Sequence, residues 1–215
     1  MKTTRVINLI LDAENPQLTV LNGDLITGEN THLHNSTHYL DQIVAPLIQR
    51  NLSWASTYGN HDSQYNLSTY SLLLREQSYP LSRTTSMVNT PTAGVSNYYL
   101  PIYPSDRSIS TPALLLWFFD SRGGVEYQTL SSSNTTIQRP HWVDESVVQW
   151  FIGTNANLIE KFNTTIPSLA FFHIPVHAML AAQDQKLPFL PSRDEYINDD
   201  VPLDAQGGSH EVYSG

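Results

Sequence analysis

The chain has 215 residues and a mass of 24.2 kDa, room for one large domain or two small ones, and a chain of this size buries roughly 70% of its unfolded surface without needing staples. With 40% hydrophobic and 14% charged residues and several dense apolar runs, it is neither disordered nor, lacking a fixed repeat, collagen-like or coiled-coil. A net charge of −9, only three lysines (Lys2, Lys161, Lys186) and no Lys/Arg cluster exclude a nucleic-acid footprint and a polybasic membrane patch.

In chain order, residues 3–14 read as a helix. Val6, Ile7, Ile10 and Leu11 share one face at helical spacing, and Pro16 stops the run. Residues 18–21 read as a buried strand that turns at Asn22-Gly23-Asp24. After a polar stretch, Asn35 or Ser36 is expected to cap a helix whose apolar stripe is Tyr39, Leu40, Ile43, Val44, Leu47 and Ile48. Pro46 should kink that helix. Residues 54–58 make a second strand, closed by Gly59-Asn60, and a helix follows over about 67–77.

Residues 81–112 are rich in Pro, Ser and Thr, with one strand-like island at 98–103, and read as an insertion or hairpin region. Residues 113–119 form the strongest strand; with no polar alternation it should be buried on both faces. This apolar run is far too short to span a membrane. Residues 121–139 read as loop, 141–152 as helix and 168–172 as a strand ending at His173. Residues 185–215 form an irregular, polar tail, in which Glu195, Asp199 and Asp200 read as a solvated acidic face. Helices alternating with buried strands predict an α/β domain: a layered sandwich of mixed β-sheet flanked by helices.

The absence of cysteine excludes disulfides, thiolate zinc sites and cysteine nucleophiles. Five N-x-[ST] sequons occur, at Asn35, Asn51, Asn66, Asn134 and Asn163, where roughly three are expected from the composition. They predict a secreted glycoprotein. Met1 is followed by no apolar leader, which makes the cytoplasm the alternative.

Three strand ends carry chemistry. Asp24 follows the first strand, Asn60 and His61 the second, and His173 the last. Ligands bind outside the carboxyl ends of strands in open α/β sheets. A carboxylate, an amide oxygen and an imidazole at one rim form a mixed O/N donor set suited to zinc, iron or manganese. No G-x-S-x-G elbow, G-x-x-x-x-G-K-[ST] loop or H-E-x-x-H helix competes with this reading.

The stretches VLNGDLITGEN, WASTYGNHDS and LAFFHIP, in that order, resemble successive motifs of the calcineurin-like metallophosphoesterase superfamily. The subgroup most similar is that of the fungal and plant phosphatases related to purple acid phosphatases, which FFDSRGG at 118–124 also resembles. A Gly-Asn-His-Asp string arises by chance in roughly one random chain in a thousand of this length. The resemblance spans nearly the whole chain. It implies a binuclear centre that hydrolyses phosphate esters, with phosphoproteins among the candidate substrates. Asp24 matches the carboxylate that bridges the two ions. Asn60 and His173 match ligands of the second ion. His61 matches the residue that contacts phosphate and assists the leaving group, and Asp62 is expected to orient His61 by a hydrogen bond.

The chain also departs from the pattern. It contains no Asp-x-His motif before the first helix and no Gly-His-x-His motif after the last strand; the later histidines are His177 and His210. By the family pattern the first ion keeps only Asp24, while the second keeps Asp24, Asn60 and His173. The expectation is therefore a partial domain over 1–215, incomplete at both ends, that holds at most one ion weakly and hydrolyses phosphate esters weakly or not at all. Thr27 stands where purple acid phosphatases carry tyrosine, so an iron–tyrosinate site is not implied. The alternative to a hydrolase is a non-catalytic remnant of the fold. His32, His34 and His38 lie in a polar loop and read as solvated or rim residues rather than a metal cluster.

Overall fold

The computed structural model describes residues 2–176. The chain divides into two compact units, Met1–His173 and Ile174–Gly215. Only residues 174–176 of the second unit are described, so the expectations for His177, His210 and the 185–215 tail lie outside the described residues.

In the first unit, α1 (Lys2–Glu14) leads to β1 (Leu18–Asn22), then α2 (His38–Gln49) to β2 (Ser53–Thr57) and α3 (Thr69–Gln77). β3 (Tyr98–Ile102) and β4 (Leu114–Phe118) follow, then β5 (Val125–Leu130), β6 (Thr136–Gln138), α4 (Glu145–Phe162) and β7 (Ser168–Phe171). β1 pairs in parallel with β2, and residues 81–83 run beside Trp54 on the other side of β2. A second sheet has the order β3-β4-β7, with β3 antiparallel and β7 parallel to β4. Residues 81–112 thus contribute a full strand to this sheet.

Apolar side chains stack these parts into four layers. Leu11, Leu40, Val44, Leu47, Leu72 and Leu73 of the first three helices pack with Trp54 and Tyr58. Leu18, Val20 and Ala55 of the first sheet meet Tyr98, Leu116, Phe118 and Phe171 of the second. Leu115 and Trp117 point the other way, against Leu158, Trp150 and Phe151 of α4. β4 is therefore covered on both faces, which is why its sequence shows no polar alternation. The order helix, sheet, sheet, helix is the layered α/β sandwich expected.

Three local readings differ from the structure. Residues 121–139 are not all loop, because β5 and β6 form an antiparallel hairpin. After Val125 every residue of its two strands is exposed, so no burial pattern marks it in the sequence. α4 starts later and runs further than residues 141–152, because Asp144 caps it by accepting from the Ser146 backbone. α2 is preceded by Thr37 rather than capped by Asn35 or Ser36, and it runs unbroken through the buried Pro46.

One carboxylate binds α3 to the sheet, and another binds α2 to α3. Glu76 of α3 is fully buried and accepts from Trp54 Nε1, Ser56 Oγ, Tyr58 OH and Thr84 Oγ1 at 2.6–2.9 Å. Burial raises its pKa, against the pull of those four donors. Asp41 of α2 accepts two 2.8 Å hydrogen bonds from Arg75 and one from Tyr79 OH, and the Arg75 contacts hold its carboxyl below the usual range. A carboxylate with a depressed folded-state pKa stabilises above its unfolded value and loses that contribution as pH falls through the folded value. Arg75→Gln is therefore expected to cost about 1 kcal/mol or less at neutral pH, since the pair is part-exposed. The cost should shrink toward zero as pH falls below the ordinary aspartate range and through the lowered value of Asp41. Urea unfolding of both proteins across that range checks it; a cost independent of pH would exclude the pairing as its source.

Candidate metal centre

The carboxyl ends of β1, β2, β4 and β7 meet at one rim. Asn22, the last residue of β1, donates from Nδ2 to the Phe172 carbonyl, and Thr57 Oγ1 at the end of β2 donates to the Phe119 carbonyl after β4. Loops leaving this rim carry all of the candidate residues.

Gly23 and Asp24 both adopt positive φ, +83° and +49°. Glycine tolerates that region freely, and aspartate better than most residues. The turn is sharp enough that a Cβ on Gly23 would lie 2.4 Å from His173 Nδ1. It brings Asp24 Oδ2 to 3.1 Å from His173 Nε2. His173 Nδ1 lies 2.8 Å from the Asn22 carbonyl, which fixes the ring and assigns Nδ1 as the protonated nitrogen. Nε2 is thereby directed at the carboxylate side of the site.

The second loop reaches the same carboxylate. The His61 backbone N–H donates to Asp24 Oδ1 at 2.9 Å. Gly59 lies so close that a Cβ there would be 2.2 Å from Asp24 Oδ1. Asn60 stands between these two contacts, and its Oδ1 is buried with no hydrogen-bond donor among the described residues. Gly124 backs this turn; a Cβ on it would come within 2.2 Å of the Asn60 carbonyl oxygen. The FFDSRGG segment is thus a buttress, held by Asp120 accepting from the Val95 and Arg122 backbone N–H groups.

Partial burial pushes the Asp24 carboxyl up, but His173, the His61 N–H and the charge of both imidazoles outweigh it, so the net shift is downward. Burial draws His173 down, yet its hydrogen bond to Asp24, the Asn22 carbonyl and the charge of Asp24 raise it overall. A carboxylate kept charged beside an imidazole, with an amide oxygen lacking a donor, is a donor set that fits a zinc, iron or manganese ion. Asp24, Asn60 and His173 would hold it. Among the described residues no group of three or more His, Asp or Glu side chains gathers around a common point, so the amide is needed to complete the set.

Asp62 does not orient His61. It is fully buried, and its carboxylate accepts from the backbone N–H groups of Ile26 (2.8 Å), Gly59 (2.9 Å) and Leu25 (3.2 Å). It clamps the loop after β1 to the turn after β2. Burial pushes its carboxyl up to about 7 against the pull of those three donors, and the charge of Asp24 adds to the rise. The partner of His61 is Glu29, whose Oε1 lies 2.6 Å from His61 Nδ1 and also accepts from Gln64 Nε2. Sequence reasoning missed Glu29: it sits five residues past Asp24 in a polar loop, and only a short 3-10 turn, Gly28–Asn30, carries it to the imidazole. His32 and His34 stack on each other, with ring centroids 5.8 Å apart.

The family model of the calcineurin-like phosphoesterases matches residues 2–203. The chain is 32% identical to Phosphatase DCR2 of Saccharomyces cerevisiae over 87% of its own length and 31% of that protein. It is 26% identical to Probable inactive purple acid phosphatase 28 of Arabidopsis thaliana over 82% of its length and 45% of that protein. It thus spans a third to a half of these curated relatives. Among solved structures, a dimetal phosphatase from Danio rerio superposes with a TM-score of 0.52 at 19% identity, covering 82% of this chain and 60% of that one. At that identity the likeness speaks for the fold.

Proposed function

The chain belongs to the calcineurin-like phosphoesterase family, and from that premise we propose that the protein is a metal-dependent hydrolase of phosphate monoesters, phosphoproteins among its substrates. One observation carries the reading: Asp24 and His173 Nε2 meet beside Asn60, whose buried amide oxygen has no donor among the described residues. An unsatisfied buried acceptor is costly, and a cation would satisfy it. Asp24 would supply carboxylate oxygen to such a cation beside the imidazole of His173. A bound cation supplies charge that lowers the pKa of water and neutralises phosphoryl oxygens. Asp24, Asn60 and His173 would hold it. His61, on the turn whose backbone N–H holds Asp24, donates a proton toward the leaving oxygen.

Glu29 positions the imidazole through Nδ1 and leaves Nε2 for the substrate. Glu29→Gln is expected to lower kcat by about 10- to 100-fold, with KM nearly unchanged and metal content intact. A matching loss of bound metal would show that Glu29 acts on the centre and not on His61.

The reading is tested by removing the metal. Dialysis against a chelator should abolish p-nitrophenyl phosphate turnover, and adding back zinc, manganese or iron should restore it. Turnover that survives chelation overturns the metal-dependent reading. The word "inactive" in the name of the Arabidopsis relative favours a second reading, a non-catalytic domain of the same fold. Stoichiometric metal without turnover would select it.

A further inference from the structure

The five sequons fall into two groups by their place in the fold. Asn51 follows α2 and precedes β2, and Asn163 follows α4 and precedes β7. Both lie at the amino ends of strands whose carboxyl ends form the metal rim, roughly 13 Å or more away along a strand. Asn134 lies in the turn between β5 and β6, the exposed end of the hairpin. All three residues are exposed, and all three adopt the left-handed conformation, with φ of 55°, 52° and 61° respectively. A left-handed turn after a helix accounts for asparagine over most residues. It does not account for the hydroxyl two positions later, at Ser53, Thr165 and Thr136, which a glycan acceptor requires.

Asn35 and Asn66 stand in the loops that carry the candidate metal centre, between β1 and α2 and between β2 and α3. Both are partly buried and both are engaged. Asn35 Oδ1 accepts from the His32 backbone N–H at 2.9 Å, and Asn66 Nδ2 donates to the Thr31 carbonyl at 3.1 Å. The hydroxyl of the second sequon, Ser68 Oγ, accepts from Ser71 N as the cap of α3. A glycan on either residue would meet the loops that hold Glu29 and His61.

We propose that Asn51, Asn134 and Asn163 carry N-linked glycans, that Asn35 and Asn66 do not, and that the protein therefore passes through a secretory compartment. The donor is a lipid-linked oligosaccharide diphosphate. The Asn Nδ2 forms a bond to the first sugar carbon, the bond from that carbon to the diphosphate oxygen breaks, and Nδ2 loses one proton. The three acceptors place bulky, hydrated groups on the far edge of the sandwich and on the hairpin, and leave the rim open.

The test uses the protein purified from the cells that make it. Release of glycans by peptide-N-glycosidase in oxygen-18 water converts each occupied asparagine to labelled aspartate, read by peptide mass spectrometry. Label is expected at Asn51, Asn134 and Asn163 and at neither Asn35 nor Asn66. Replacing any of the three by Gln should remove one glycan's mass and leave metal binding within about two-fold. Unlabelled Asn51, Asn134 and Asn163 overturn the proposal, and so does label at Asn35 or Asn66.

Discussion

Asp62→Ala is expected to cost about 3–5 kcal/mol of unfolding free energy and to remove metal binding with it. Its carboxylate is the acceptor for three backbone N–H groups, those of Leu25, Ile26 and Gly59. Two of these follow Asp24 directly, and the third precedes Asn60. Alanine would leave three donors without partners in a site closed to solvent, each worth about 1–3 kcal/mol when unsatisfied. Water entering the gap recovers part of that sum. Asp62→Asn keeps one acceptor oxygen but presents an amide donor to a donor, so a cost of about 1–2 kcal/mol is expected. Urea unfolding followed by tryptophan fluorescence measures both, and metal titration gives the second readout. A loss below about 1 kcal/mol for alanine would mean that the loops after β1 and β2 hold their positions without the clamp.

The same residue marks the limit of what the sequence conveys. Asp24, Asn60 and His173 could be placed together because each ends a strand whose apolar run is legible, and parallel strands deliver their carboxyl ends to one side. Hydrophobic patterning sets that convergence, and patterning is written in the sequence. The partners of Asp62 and His61 are set by loop geometry, which is not. Asp62 stands next to His61, yet its carboxylate turns inward to backbone groups 36 and 37 residues earlier in the chain. Glu29 reaches His61 across 32 residues through a single 3-10 turn. The β5–β6 hairpin was illegible for a different reason, since strands exposed on both faces carry no alternation of burial. The four layers, by contrast, follow from β4: seven apolar residues in a row demand cover on both sides, and the second sheet and α4 supply it.

Gly59→Ala is expected to lower metal affinity by about 100-fold or more and turnover with it. Gly59 has φ −104°, a value any residue adopts, so backbone strain is not the reason. The reason is distance. An added Cβ would lie 2.2 Å from Asp24 Oδ1 and 2.6 Å from Asp24 N. The carboxylate can rotate away, at the cost of its contacts with His61 N–H and His173 Nε2. The backbone nitrogen can move only with the whole loop, which Asp62 clamps in place. Either response pulls apart the carboxylate and the amide that the site brings together. Gly153 offers the contrast, because it lies in α4 with none of the described residues within 4 Å of an added Cβ. Gly153→Ala should therefore raise stability by about 0.5–1 kcal/mol through helix propensity and leave metal affinity unchanged. Metal titration and thermal melts on the two variants separate crowding at the centre from a general effect of added methyl groups. Wild-type affinity in the Gly59 variant would show that Asp24 and Asn60 do not need the spacing this turn imposes.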